Sequence, residues 1–199
     1  MQVIDLTHEL NNDILVYPGA PQPSIQEAFS VEKDGYHEMS LTFTTHIGTH
    51  LDTPMHMIQG AKGLADYSVA DFCGKGKCVP LDKVATTDLT GIDYLLLYTG
   101  WDQYWNNDQY FNDFPVLDRE AAQKIADSNL KGIGLDMISV DPVTSTDFSI
   151  HHQILAKSKI IVENLTGLKP LLDKEFFFSC FPLKFKGEGC PVRAAAMVH

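Results

Sequence analysis

The chain has 199 residues, 44% of them hydrophobic and 21% charged, and a formal net charge of −11 at pH 7. A chain this long can build a hydrophobic core without disulfide or metal staples, and residues 1–199 are read as a single domain. The acidic balance repels nucleic-acid phosphates and anionic lipid, so the expected partner is a small molecule, with no nucleic acid and no membrane.

The opening MQVIDLTHEL has neither the basic nor the apolar region of a signal peptide, and no apolar run approaches the length of a membrane span. Four cysteines with nothing pointing to export predict reduced thiols and a cytoplasmic location. QVIDLT reads as a strand, and YPGAPQP, beginning at Tyr17, as a rigid loop. HEMSLTFTTHIGTH alternates, with Met39, Leu41, Phe43 and Ile47 on one parity and Ser40, Thr42, Thr44 and His46 on the other. That pattern predicts a strand with one apolar face. CGKGKC sets Cys73 and Cys78 at a C-x4-C spacing, loosely compatible with zinc but without a matching second Cys/His pair.

DYLLLYTG reads as a short buried strand with a glycine stop. WDQYWNNDQYFNDF gathers Trp101, Tyr104, Trp105, Tyr110, Phe111 and Phe114, to contact an aromatic ligand or, on balance, to pack a subunit interface. DREAAQKIADSNL predicts a helix capped by Asp118. KGIGLDM reads as a strand, DFSIHHQILAKS as a short helix and KIIVENL as a strand; EFFFSCFPLKF and CPVRAAAMV read as closing strands. Strands outnumber helices and some helices lie between them, which predicts an α/β or α+β domain with a mixed sheet. His8, His37 and His199 carry no expected site role.

The densest chemistry is THIGTHLDTPMH, residues 45–56. His46, Gly48, His50, Asp52, Pro54 and His56 all fall on even numbers, and in an extended chain alternate side chains share a face. Gly48 and Pro54 argue against a helix and let the strand bend. His46, His50 and Asp52 would then converge as ligands of a metal with an open coordination position, which lowers the pKa of a bound water. His56, further along the same face, is placed to take and return a proton. A second cluster pairs His151, opening the short helix, with Glu163, closing the next strand. A helix of about eight residues rises roughly 12 Å and a strand of about four returns roughly 13 Å, which brings both to one end of the layer. Asp52 and Glu163 could then bridge two metals, and His152 competes with His151 for the role.

HIGTHLDTPMH resembles the H-x-G-T-H-x-D-x-P-x-H signature of the metal-dependent cyclase/hydrolase family that includes bacterial kynurenine formamidase and isatin hydrolase. DLTHEL, YPG, LLYTGW, GIGLDMISVDP, HHQILAKSKIIVENLTGL and GCPVRAAAM are similar to further blocks of that family along most of the chain. The resemblance implies a swivelling β/β/α domain with a mixed sheet and flanking helices, a homo-oligomer (dimer or tetramer), and one or two Zn²⁺ or Mn²⁺ ions. By motif position it implies His46, His50, Asp52, His151 and Glu163 as ligands and His56 as general acid/base, and it favours His151 over His152. Formamidase members carry Trp-Pro-Gly where this chain has Tyr17-Pro18-Gly19; Tyr17 can still stack on an aromatic substrate. Isatin hydrolases place Gln at the position of Glu163.

The expected activity is therefore metal-dependent hydrolysis of an amide, formamide or cyclic amide by metal-activated water, with N-formylkynurenine-like arylformamides the leading case. Lactam or lactone hydrolysis of the isatin type, a cyclase or dehydratase reaction, and non-catalytic metal binding remain the alternatives.

Overall fold

A computed structural model describes residues 1–198. In chain order the strands are β1 (Gln2–Asp5), β2 (Ser24–Phe29), β3 (Glu38–Thr42), β4 (His50–Asp52), β5 (Cys73–Pro80), β6 (Tyr94–Tyr98), β7 (Gly132–Leu135), β8 (Ile160–Glu163), β9 (Phe176–Phe181), β10 (Gly189–Pro191) and β11 (Arg193–Val198). The α-helices are α1 (Val31–Asp34), α2 (Arg119–Asp127) and α3 (Ser149–Leu155), joined by short 3-10 turns.

Nine strands form one mixed sheet in the order β1-β11-β9-β5-β6-β7-β8-β4-β10. Strands β5 to β8 run parallel. The flanking pairs, including β8 with β4 and β4 with β10, are antiparallel. Strands β6 and β7, and β8 up to its terminal Glu163, are apolar because both faces are covered. Leu95, Leu97, Ile133, Leu135 and Ile161 join the core that contains residues of α2 and α3, whereas Tyr94, Leu96, Ile160 and Val162 belong to a second core with Phe176 and Phe178. Helix α2 buries Ala121, Ala122, Ile125 and Ala126, and the Asp118 carboxylate accepts the Ala121 amide at 2.7 Å, as its sequence predicts. The α/β architecture with a mixed sheet and flanking helices is the one expected.

Several local expectations are corrected. The alternating segment does not run as a strand from His37 to His50. β3 ends at Thr42 and pairs only with β2, in a separate two-stranded ribbon on which Met39 and Leu41 are exposed. Cys73 and Cys78 both lie in β5, five residues apart and so on opposite faces of the strand. All four cysteines are free, and the C-x4-C spacing builds no zinc site. The aromatics of residues 101–114 pack against the chain's own core, with Tyr110 fully buried. The closing strand is two strands, β10 and β11, divided at Val192. Strands β2 and β5, rich in polar residues or glycine, carry no pattern that marked them. Among the described residues no helix is long and apolar enough to cross a membrane. His199 lies outside the described residues.

Candidate metal centre

Three local devices bring the expected site residues together. His46 precedes Gly48, whose φ of +58° is left-handed; a side chain there would also meet the Ile14 methyl Cδ1 at 3.1 Å. His50 and Asp52 are alternate residues of β4 and share a face, with Leu51 buried on the other. Pro54 then opens a 3-10 turn, Pro54–His56, that folds His56 back until its ring centroid is 3.9 Å from that of His46. The shared even-number face therefore holds only across β4, and the two turns do the rest. The antiparallel register places His50 directly opposite Glu163, the last residue of β8. His151 reaches the same point from α3 and is buried, while His152 faces solvent.

The resulting contacts are tight. His46 Nδ1 lies 2.7 Å from Asp52 Oδ1. His50 Nε2 is 3.5 Å from both Asp52 Oδ1 and Glu163 Oε2. His151 Nε2 is 3.3 Å from Glu163 Oε1 and 3.8 Å from Asp52 Oδ2. Two triads emerge that share Asp52: His46, His50 and Asp52, and Asp52, His151 and Glu163, each offering ligand atoms within 4.8 Å of one another. Both Asp52 oxygens and Glu163 Oε1 are buried, and the polar groups that face them are the imidazole nitrogens of the cluster. Burying an acid so is costly unless a cation compensates it. Imidazole nitrogens and carboxylate oxygens are the donor set of a divalent transition ion, so the residues present fit one.

The outward nitrogens of the imidazoles support this orientation. His50 Nδ1 sits 2.9 Å from the Gly48 carbonyl, and His151 Nδ1 sits 2.8 Å from Asp141 Oδ2. Donation by Nδ1–H in each case turns Nε2 inward, as a lone pair on neutral His50 and, on His151, once a bound cation displaces its proton. Asp141 is itself fixed by the amides of Ile150 and His151. His46 is turned the other way: its Nδ1 faces Asp52, and its Nε2 lies 3.4 Å from Glu188 Oε1. Glu188 in turn accepts the Thr45 hydroxyl. The Asn164 side chain donates to the Gly48 carbonyl at 2.8 Å and accepts the Tyr110 hydroxyl, which pins the left-handed turn to the core. At Gly189 an added Cβ would lie 2.7 Å from His46 Cε1 and 2.8 Å from the Leu51 carbonyl, so His46 rests on bare backbone.

Burial pushes His50 down to about 4, overcoming the pull of Asp52, so its ring is neutral at pH 7. Burial, with the neighbouring His46 and His151, also lowers His56. Burial opposes protonation of His151, but Asp141 bonded at its Nδ1 and the Glu163 carboxylate facing its Nε2 outweigh it and raise that group to about 10. Burial alone would raise Asp52; the surrounding imidazoles hold it below the usual carboxylate range. Burial and the nearby Asp52 raise Glu163.

Beside the cluster lies a cavity of 350 Å³ lined by Tyr17, Ala20, Thr44, Met57, Ile138, Ser139 and Phe148 together with His46, His50, His56, His151 and Glu163. Tyr17, expected near the substrate, lines it, and none of the 101–114 aromatics does. A larger cavity of 550 Å³, lined by Asp5, His8, Thr49 and Arg193 among others, holds none of the converging ligands. Sequence reasoning missed Asp141, Asn164, Glu188 and Phe148. Asp141 lies within GIGLDMISVDP and Asn164 within HHQILAKSKIIVENLTGL, blocks already similar to the family; nothing in the sequence marked Glu188 or Phe148.

Residues 4–142 match the family model Cyclase, described as "Putative cyclase". An uncharacterized protein of Methanocaldococcus jannaschii is 33% identical over all of both chains. A kynurenine formamidase of Geobacillus thermodenitrificans is 30% identical, covering 96% of this chain and 95% of that one. Among solved structures, an isatin hydrolase bound to the product analogue thioisatinate superposes with a TM-score of 0.85 at 19% identity, covering 99% of this chain and 92% of that one.

Proposed function

The chain belongs to the Cyclase family, and from that premise we propose that it is a metal-dependent hydrolase of carbon–nitrogen bonds in amides, formamides or cyclic amides, with arylformamides of the N-formylkynurenine type as the leading case. The observation that carries the reading is the buried Asp52 carboxylate, faced by imidazole nitrogens and shared between two ligand triads, with His56 beside them and belonging to neither. Its likeness to a kynurenine formamidase and an isatin hydrolase supports the same reaction class.

In this proposal His46, His50 and Asp52 hold one divalent ion, and Asp52, His151 and Glu163 hold a second. The ions are Zn²⁺ or Mn²⁺, since imidazole and carboxylate suit both. A divalent ion there supplies Lewis acidity and a water of lowered pKa. His56, kept neutral by burial, takes the proton of the attacking water and returns it to the departing nitrogen. Tyr17 and the apolar wall orient the acyl compound and exclude bulk water.

Residues 1–199 act as one domain in this account, in the cytoplasm, and as a homo-oligomer. The β2–β3 ribbon supports the last point. A two-stranded hairpin is marginally stable alone, and this region exposes Phe29, Val31, Tyr36, Met39 and Leu41.

The test is a panel of formanilides, lactams and lactones with product masses, run on metal-loaded protein. Addition of water to an amide bond is expected; loss of water from the substrate would replace the hydrolase reading by a dehydratase one. His56→Ala should retain its metal and lose about 10²–10⁴-fold in turnover. Wild-type rates in that variant would remove the proton shuttle.

A further inference from the structure

We propose that Glu188 is the positioning residue of His46: its carboxylate faces the outward Nε2–H of that imidazole and so presents Nδ1 to the ion of the first triad. This rests on the metal-dependent reading and extends it to an acid that belongs to neither triad.

His46 stands apart from the other imidazoles of the cluster. His50 and His151 turn Nε2 inward and occupy Nδ1 with the Gly48 carbonyl and the Asp141 carboxylate. His46 turns Nδ1 inward, 2.7 Å from Asp52 Oδ1. A neutral imidazole that gives its Nδ1 lone pair to a cation must carry its proton on Nε2. That nitrogen is buried, and the acceptor that faces it is Glu188 Oε1, 3.4 Å away. A buried donor with nothing opposite it is penalised, so the form of the ring that can bind an ion depends on this oxygen.

Glu188 is built into the site from both sides of the motif. Its Oε1 accepts the Thr45 hydroxyl at 2.5 Å, from the residue that precedes His46. Its carbonyl accepts the amide and the hydroxyl of Thr53 at 2.9 and 2.8 Å, from the residue that follows Asp52. Gly189, next in the chain, pairs with Asp52 across β10 and β4, and its bare backbone lets the His46 ring lie against it. The strand pair that fixes Asp52 on one edge of the ring therefore delivers a second carboxylate to the other edge. Each triad then contains one imidazole backed by an acid that is not a ligand: Asp141 behind His151, and Glu188 behind His46. The Glu188 side chain is 36% exposed, so its charge stays partly hydrated and its removal opens no cavity in the core.

The experiment titrates chelator-stripped protein with Zn²⁺ by calorimetry and records the His46 ring of the loaded protein in proton–nitrogen NMR correlation spectra. The wild-type ring is expected to carry the ion on Nδ1 and, on Nε2, a proton that exchanges slowly with water. Glu188→Ala should speed that exchange and weaken Zn²⁺ binding by about 10–100-fold, with the melting temperature of the metal-free protein unchanged. Glu188→Gln keeps an acceptor oxygen and should recover part of the loss. Thr45→Val releases the carboxylate from its second anchor and should give a smaller loss in the same direction. If Glu188→Ala does not fold, Glu188→Gln and the wild-type spectrum decide. Wild-type affinity in Glu188→Ala, or an ion on Nε2 of His46, overturns the proposal and leaves the metal reading standing. No uptake of Zn²⁺ by the wild-type chain overturns both.

Discussion

Each imidazole of the cluster has two nitrogens, and the groups that occupy the outer one decide where the inner one points. Asp141 does this for His151 through a 2.8 Å contact and two backbone amides. Asp141→Asn is therefore expected to weaken divalent-ion affinity by about 10–100-fold, measured by competition with a chelating dye; wild-type affinity would show that His151 needs no such anchor. Gly189→Ala attacks His46 from below, because its methyl would overlap the ring edge. It should lower metal affinity while leaving the remote α2 cap intact. His56 predicts a pH effect. A base must be unprotonated, so kcat/KM falls as pH drops through its pKa. Burial together with the neighbouring His46 and His151 lowers that pKa from 6.5. The acid limb should lie below pH 6.5 and vanish in His56→Ala, and a limb above that value in the pH–rate profile contradicts the assignment.

The secondary-structure elements place these residues with differing legibility. Strands β6, β7, β8 and helix α2 were readable because burial on both faces, or on one helical stripe, leaves a simple periodic trace. The Asp118 cap was equally plain. Asp118→Ala should cost about 1 kcal/mol in denaturant unfolding without altering metal content. The alternation over residues 37–50 misled in an instructive way. Met39 and Leu41 do share a face, but in this chain the ribbon's face meets solvent, and the pattern cannot say which surface covers it. The proposed oligomer assigns that surface to a second copy. Met39→Asp with Leu41→Asp should then shift the protein to a monomer by light scattering; an unchanged mass would place the contact elsewhere. The residues of the motif HIGTHLDTPMH converge although only three of them, His50 to Asp52, form a strand. Its glycine and proline made turns rather than a smooth bend. Glu188 and Asn164 stayed hidden because their roles come from strand pairing across more than a hundred residues, which no local spacing records.

At the scale of the molecule, the sheet order brings β4, β8 and β10 side by side from three distant stretches of sequence, with α3 supplying His151 from above the parallel core. The candidate metal centre thus lies at a junction between the late strands and the early ones. Chelator treatment should lower the melting temperature; at a free-ion concentration of a hundred times Kd the bound state gains about 2.7 kcal/mol. The central claim, that two ligand triads meet at Asp52, is tested most directly by calorimetric titration of chelator-stripped wild-type and Asp52→Asn protein with Zn²⁺ and Mn²⁺. The account predicts saturable binding of up to two ions per wild-type chain and loss of both sites in Asp52→Asn. Undiminished binding by Asp52→Asn, or no binding by the wild-type chain, would contradict it.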